Sequence, residues 1–250
     1  MVLFVSDIHF GRSVPVAERD VERDLLACLR AHEDRLTHLY LLGDVFDAYI
    51  EYRHLAPKGF VRFLGLLAAW TDRGLPVTYL TGNHDPWHRD LFAGELGVRV
   101  VFDALCEPCF GRTVYLAHGD APAAGRLYRW LRPVLRHPVP VGLYRTLLPA
   151  DLGMGLARWV KHHFGNTDIR PETVAALRAF ARHTLQTTDA DLVVLGHSHQ
   201  AEHTAWPEGH YLNPGCWYAD RTFGVLDEQG PRLLRWNGSC AVAFNPAPTA

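Results

Sequence analysis

Aspartates, histidines and one asparagine recur through this chain in short clusters marked by glycine. "SDIHFG" sets Asp7 and His9 two residues apart, and "GDVFD" supplies Asp44 and Asp47. "GNHD" adds Asn83, His84 and Asp85, "HGD" adds His118 and Asp120, and "GHSH" adds His197 and His199. Carboxylate, imidazole and one amide oxygen, with no thiolate, suit manganese, iron or zinc in a reactive site better than a structural zinc finger. Such a set is too large for one ion. Shared between two ions about 3.5–4 Å apart, with one carboxylate bridging, it would make a site for in-line displacement at phosphorus. Any one cluster has an ordinary explanation in a capping aspartate or a hydrogen-bonded core histidine. Five in a row do not, because each follows the same kind of segment.

Those segments are short, apolar and β-branched: "VLFVS" (2–6), "HLYLL" (38–42), "PVTYLT" (76–81), "TVYLA" (113–117) and "DLVVLG" (191–196), with "VRVVF" (98–102) as a sixth. Helix-period segments separate them. Val21, Leu25, Leu26 and Leu29 make one apolar face, and Phe60, Phe63, Leu66, Leu67 and Trp70 make a second. "RPETVAALRAFARHTL" announces a third helix, with Pro171 in its first turn. After Gly196 the texture changes to short strands and turns, in "HYLNPG", "TFGVLD" and "RLLRWNG". The alternation predicts an α/β fold passing into a β-rich end. In such sheets the carboxyl ends of the strands lie together, so the five clusters should converge in one crevice.

The chain has 250 residues, 48% apolar and 21% charged, as in an ordinary soluble globular protein. Its net charge of -2 argues for no polyanion partner, whereas 15 histidines is a high count and fits the donor clusters. Five cysteines do not make a disulfide framework and suit a reducing compartment. "CEPC" (Cys106 to Cys109) has no second CxxC to complete a zinc site and reads as two ordinary buried thiols. No signal peptide precedes "VLFVS", and no apolar run reaches the ~20 residues of a membrane span. A cytoplasmic protein is expected.

Residues 122–168 interrupt the strand rhythm. They are helical in pattern, carry prolines at 133, 138, 140 and 149, and read as an insertion into one domain spanning 1–236. A loose tail is expected over 237–250. From 121 to 165 there are seven basic residues (Arg126, Arg129, Arg132, Arg136, Arg145, Arg158 and Lys161) and one acid, Asp151. Leucines, valines, Trp130 and Trp159 lie between them. A basic amphipathic hairpin of this kind could rest on an anionic membrane surface and admit a lipid. It could also be a plain helical cap with solvated arginines, or receive nucleic acid over a phosphate site.

The order D-x-H, GDxxD, GNHD, H, GHxH from Asp7 to His199, followed by "NPG" at Asn213 to Gly215, resembles the calcineurin-like metallophosphoesterase superfamily. The resemblance implies two mixed β-sheets packed face to face with helices outside, an αββα sandwich. It implies two divalent ions, with Mn2+ expected and Fe or Zn as alternatives. Asp7, His9 and His199 would hold one ion and Asn83, His118 and His197 the other, with Asp44 bridging. His84 would face the leaving group, oriented by Asp47. Within the superfamily the chain is similar to UDP-2,3-diacylglucosamine hydrolases of lipid A synthesis, in size and in the helical insertion after HGD. That likeness implies cleavage of the pyrophosphate of a nucleotide-linked diacyl sugar to UMP and the lipid monophosphate. The insertion would be a lid for the acyl chains, and the protein would lie peripherally on the inner face of the membrane. Arg12, Tyr128, Asn83, His84 and His197 are the candidate substrate contacts. The best-known hydrolases of this group carry arginine after the motif asparagine, where this chain has His84. Another phosphodiester, nucleotide or nuclease substrate remains the alternative, although near-neutral charge and few exposed-looking aromatics argue against nucleic acid.

Overall fold

The structure is a computed structural model that describes every residue except 13–14, 165–169 and 247–250, so the end of the insertion and of the tail lie outside the described residues. The strands are β1 (Val2–Val5), β2 (His38–Leu42), β3 (Val77–Leu80), β4 (Arg99–Val101), β5 (Leu105–Cys109), β6 (Arg112–Ala117), β7 (Leu192–Leu195), β8 (Glu202–Trp206), β9 (Gly209–Asn213), β10 (Thr222–Asp227), β11 (Gly230–Trp236) and β12 (Ala241–Ala243). The helices are α1 (Pro15–His32), α2 (Val61–Asp72), α3 (Asp120–Ala123), α4 (Arg126–Arg136), α5 (Pro138–Leu147), α6 (Ala150–Phe164), α7 (Pro171–Thr187) and α8 (Trp217–Asp220).

Two mixed sheets result. One has the order β12-β11-β10-β1-β2-β3-β4, and the other β5-β6-β7-β9-β8. β1 to β4 run parallel, as do β6, β7 and β9, while the hairpin partners and β5 are antiparallel. The alternation of side chains along a strand assigns each residue to a layer. Leu3 and Val5 of β1, with Leu39 and Leu41 of β2, face α1 and α2 and pack on Leu25, Leu29, Phe63 and Trp70. Val2 and Phe4, with Tyr40 and Leu42, face the second sheet and meet Val114, Leu116, Leu192 and Val194. On the far side Val193, Leu195 and Tyr211 pack under Leu177, Ala181 and Leu185 of α7. Burial on both faces is why β1, β2, β3 and β7 read as unbroken apolar runs. The expected sandwich with outer helices is the fold observed.

Two strands escape the apolar pattern. β5 is "LCEPC", alternately half-buried and exposed at the edge of its sheet, with Pro108 blunting that edge. Cys106 is exposed and Cys109 half-buried, so the expected pair of buried thiols is corrected: three residues apart on a strand, they point to opposite faces. β8 is the other edge of that sheet. The tail expected to be loose contains β12, whose Val242 pairs with Arg235 of β11, and Phe244 packs against the intersheet core.

Candidate metal centre

Asp7 and His9 lie just past β1, Asp44 and Asp47 past β2, Asn83 and His84 past β3, His118 past β6, and His197 and His199 past β7. All five strand ends are carboxyl ends, and both sheets open onto the same crevice. The loops after β1 and β2 stay zipped beyond the strands, with His9 N–H donating to Asp44 O at 2.9 Å and Phe10 N–H to Val45 O at 2.9 Å. Eight non-glycine residues among those described have positive φ, and five are Asp7 (53°), His9 (49°), Asp44 (52°), His197 (68°) and His199 (59°). A left-handed residue with a Cβ costs about 1–2 kcal/mol. Concentrated here, that strain turns the side chains inward at the tightest point of each loop.

The donors form overlapping groups. Asp7, His9 and His199 each bring one ligand atom within 4.8 Å of the others, as do Asp44, His118 and His197, and also His9, Asp44 and His84. Nε2 of His9 and Nε2 of His199 stand 3.1 Å apart. Asp7 Oδ1 faces those nitrogens at 3.7 and 3.3 Å. Across the crevice His118 Nε2 lies 3.1 Å from Asn83 Oδ1, 3.3 Å from His197 Nδ1 and 3.4 Å from Asp44 Oδ2. Asp44 thus shares a group with residues of both halves. Asp7, His9, Asp44 and His118 are buried, while Asn83, His84, His197 and His199 are half-buried at the mouth.

The atoms that face inward are the ones left free. Asp7 Oδ2 accepts from Ser6 Oγ at 2.5 Å and from His197 N–H at 3.0 Å, whereas the buried Oδ1 has no hydrogen bond. Asp44 Oδ1 accepts from His84 N–H at 2.9 Å, and Oδ2 turns to the imidazoles. His118 Nδ1 donates to Leu42 O at 2.8 Å, leaving Nε2 as the available donor atom. Electrostatics agree. Burial opposes charge on His9 and His118, but the surrounding carboxylates outweigh it. The carboxylates of Asp47 and Asp7 beside it push His9 up to about 9, and Asp44 with Asp7 pushes His118 up to about 10. Asp7 and Asp44 are held below the usual carboxylate range against their own burial by His199 and His9, and by His118 and His84. Burial, with the charge on His118, pushes His197 down to about 4. Buried carboxylates that draw protons onto neighbouring imidazoles are a preformed cation site, and this donor set fits a pair of divalent ions.

Two expectations change in detail. His84 meets Asp47 through the main chain and not through the carboxylate: its Nδ1 donates to Asp47 O at 3.0 Å. The Asp47 carboxylate instead faces His9 Nδ1 at 3.4 Å and pairs with Lys161 of α6. Of the candidate substrate contacts, Arg12 lies over the Tyr218 ring at 5.1 Å and Tyr128 donates its hydroxyl to Asp120 at 3.1 Å. Asn83, His84 and His197 line the crevice.

The surroundings give structural roles to motif residues outside the donor set. Asp85 is fully buried and accepts from Gly82 N–H and Val45 N–H, each at 2.7 Å, and from the Tyr79 hydroxyl. It staples the loop after β2 to the loop after β3; burial and nearby Asp44 raise it to about 6. A Cβ on Gly82 would collide with the Asp44 carboxylate, so glycine is required there. Asn213 of the "NPG" turn donates to Gly196 O at 2.9 Å and Ser198 Oγ at 3.0 Å, which fixes the GHSH loop.

Side chains of the helical insertion reach the loops around this crevice. Several of its cations face inward, unlike the solvated arginines of a plain helical cap. Arg132 Nε donates to Asp120 at 2.8 Å, Arg145 Nη2 to Trp87 O at 2.7 Å, and Lys161 reaches Asp47. Arg129 and Arg158 remain at the surface, alongside exposed Leu127, Trp130, Val139, Leu143, Leu147 and Trp159. No helix among the described residues is long and apolar enough to cross a membrane.

Comparison with known proteins bears on the same constellation. A UDP-2,3-diacylglucosamine hydrolase of Porphyromonas gingivalis is 29% identical over 245 residues, covering 90% of this chain and 94% of that protein. One of Pseudomonas fluorescens is 28% identical over 263 residues, covering 99% and 97%. Among solved structures, a phosphoesterase from E. coli is 19% identical with a TM-score of 0.47, covering 97% of this chain and 96% of that one. Residues 1–201, which contain every donor described above, match the calcineurin-like phosphoesterase family, and the chain belongs to that family.

Proposed function

We propose that this chain hydrolyses the pyrophosphate of UDP-2,3-diacylglucosamine, giving UMP and 2,3-diacylglucosamine 1-phosphate, with two divalent ions, Mn2+ in the first instance. The observation that carries the reading is the near full-length similarity to hydrolases of that substrate, insertion included. Asp7, His9 and His199 would hold one ion and Asn83, His118 and His197 the other, with Asp44 between them. Bound there, the ions supply Lewis acidity and a nucleophile at neutral pH.

The side chains do the rest. The backbone carbonyl of Asp47 accepts a hydrogen bond from Nδ1–H of His84, which turns Nε2 toward the crevice, 3.8 Å from Asp44 Oδ2. Burial lowers the pKa of His84, and with Nδ1–H committed to the Asp47 carbonyl only the protonated ring can give a proton from Nε2 to a departing oxygen. The exposed apolar face of α4 to α6 suits acyl chains or an anionic bilayer. Peripheral membrane attachment is part of the proposal.

The test is direct. Purified protein with Mn2+ should release UMP and the lipid monophosphate from UDP-2,3-diacylglucosamine, seen by mass spectrometry, and a chelator should stop it. Turnover of bis(p-nitrophenyl) phosphate with no turnover of the lipid substrate would reject the substrate while keeping the phosphoesterase.

A further inference from the structure

Arg136 ends α4, inside a basic amphipathic segment that reads as a surface stripe, yet its side chain is only 13% exposed. Its guanidinium joins three loops. Nη1 donates to Thr81 Oγ1 at 3.1 Å and to Phe102 O at 2.5 Å, and Nη2 to Gly82 O at 2.9 Å, with Asp120 Oδ2 at 3.4 Å. Gly82 immediately precedes Asn83, and Asp120 lies two residues beyond His118. Asn83 Oδ1 and His118 Nε2 stand 3.1 Å apart. The arginine therefore grips the Gly82 carbonyl on one side of this donor pair and the Asp120 carboxylate on the other, without touching the pair itself. Arg132 holds the same Asp120 oxygen from the next turn of the helix, at 2.8 Å.

We infer that Arg136 is a positioning residue for the Asn83–His118 half of the metal centre, which makes helix α4 a structural part of that half. The fixed fork of a guanidinium can donate in several directions at once, and its bonds to carbonyl and carboxylate are charge-assisted. An ammonium is a single point of charge and cannot span Phe102 O, Gly82 O and Asp120 together. Freed from the clamp, the loop after β3 keeps the Asp85 staple at Gly82 N–H, but its carbonyl is free to turn and carry Asn83 away from His118. The other half, Asp7, His9 and His199, has no bond to this clamp.

The inference rests on the two-ion reading, and a Mn2+ titration of chelator-treated protein by calorimetry separates the two. Wild type should take up two ions. In Arg136→Lys, which keeps the charge, and in Arg136→Met, one ion should weaken by about 10–100-fold, the usual effect of losing a group that orients a ligand. The second ion should bind as before. For a soluble phosphodiester kcat should fall with KM little changed, and the melting temperature of the metal-free protein should fall less than that of the loaded one. Two undiminished ions in both variants, with equal loss of melting temperature in either state, would reduce Arg136 to an anchor and overturn the inference. Full rescue by lysine would do the same. A single ion in wild type would overturn the two-ion reading by itself, and Arg136 then stands or falls on whether that site weakens.

Discussion

His84 and Asp47 separate two roles that the motif order joins. His84 takes its orientation from a backbone carbonyl, so Asp47→Asn should leave its pose intact. The same change removes the negative partner of His9 Nδ1 and of Lys161. We expect a loss of about 10–100-fold in metal affinity or kcat with KM held, as for other groups that orient a ligand. Loss of more than that in Asp47→Asn, with metal retained, would place the carboxylate in the chemistry itself. His84 tests the leaving group. A sugar phosphate spreads its charge and departs without a proton, so a fixed cation is sufficient, and arginine gives no proton at neutral pH. An alkoxide needs a donor with a pKa near neutrality. His84→Arg should therefore keep substantial kcat/KM on UDP-2,3-diacylglucosamine and lose most of it on alkyl phosphodiesters. Equal loss on both would give His84 a role beyond charge.

At the scale of elements, the insertion divides into an inward and an outward set. Arg132, Arg136 and Arg145 on α4 and α5, with Lys161 on α6, are tied to loops of the sandwich. Changing them should damage catalysis on every substrate. Gly153 of α6 lies so close to the Tyr52 hydroxyl that a Cβ would collide with it, which brings Lys161 down to Asp47. Arg129, Arg158 and 83% exposed Trp130 are the outward set. Each surface cation is worth about 1 kcal/mol at an anionic bilayer, roughly fivefold in binding. Arg129→Glu with Arg158→Glu should therefore weaken sedimentation with phosphatidylglycerol vesicles by at least ~25-fold, while hydrolysis of a soluble diester stays unchanged. Unchanged sedimentation would remove the membrane from the account. The same division marks what the sequence revealed. Val2–Val5 and Leu192–Leu195 were legible because strands buried on both faces are written as unbroken apolar runs, and the donors were legible because each sits just past such a run. Glu202–Trp206 was not, since an edge strand faces solvent on alternate residues. Neither were Asp85 with Val45, Arg136 with Gly82, or Lys161 with Asp47, because contacts between distant segments leave no period in the chain.

For the whole molecule, the metal centre is where the two sheets share a charge balance, and stability should report on it. In chelator-treated protein, protons on His9 and His118 offset Asp7, Asp44 and Asp47. Both imidazoles have folded pKa values, about 9 and about 10, above the ordinary histidine value of 6.5. A raised folded pKa contributes stability that is fully present below the unfolded value and lost as pH climbs through the folded one. The metal-free protein should therefore lose stability between pH 6.5 and about 10, as the buried carboxylates lose their counter-charge. Divalent ions replace those protons, so the loaded protein should not share that loss. The gap between the two melting temperatures should widen over that range. Binding must also expel the protons, about two per chain at pH 7.5 when Mn2+ is added in weak buffer. A constant gap, or ions taken up with no proton release, would mean that the carboxylates are balanced without these histidines.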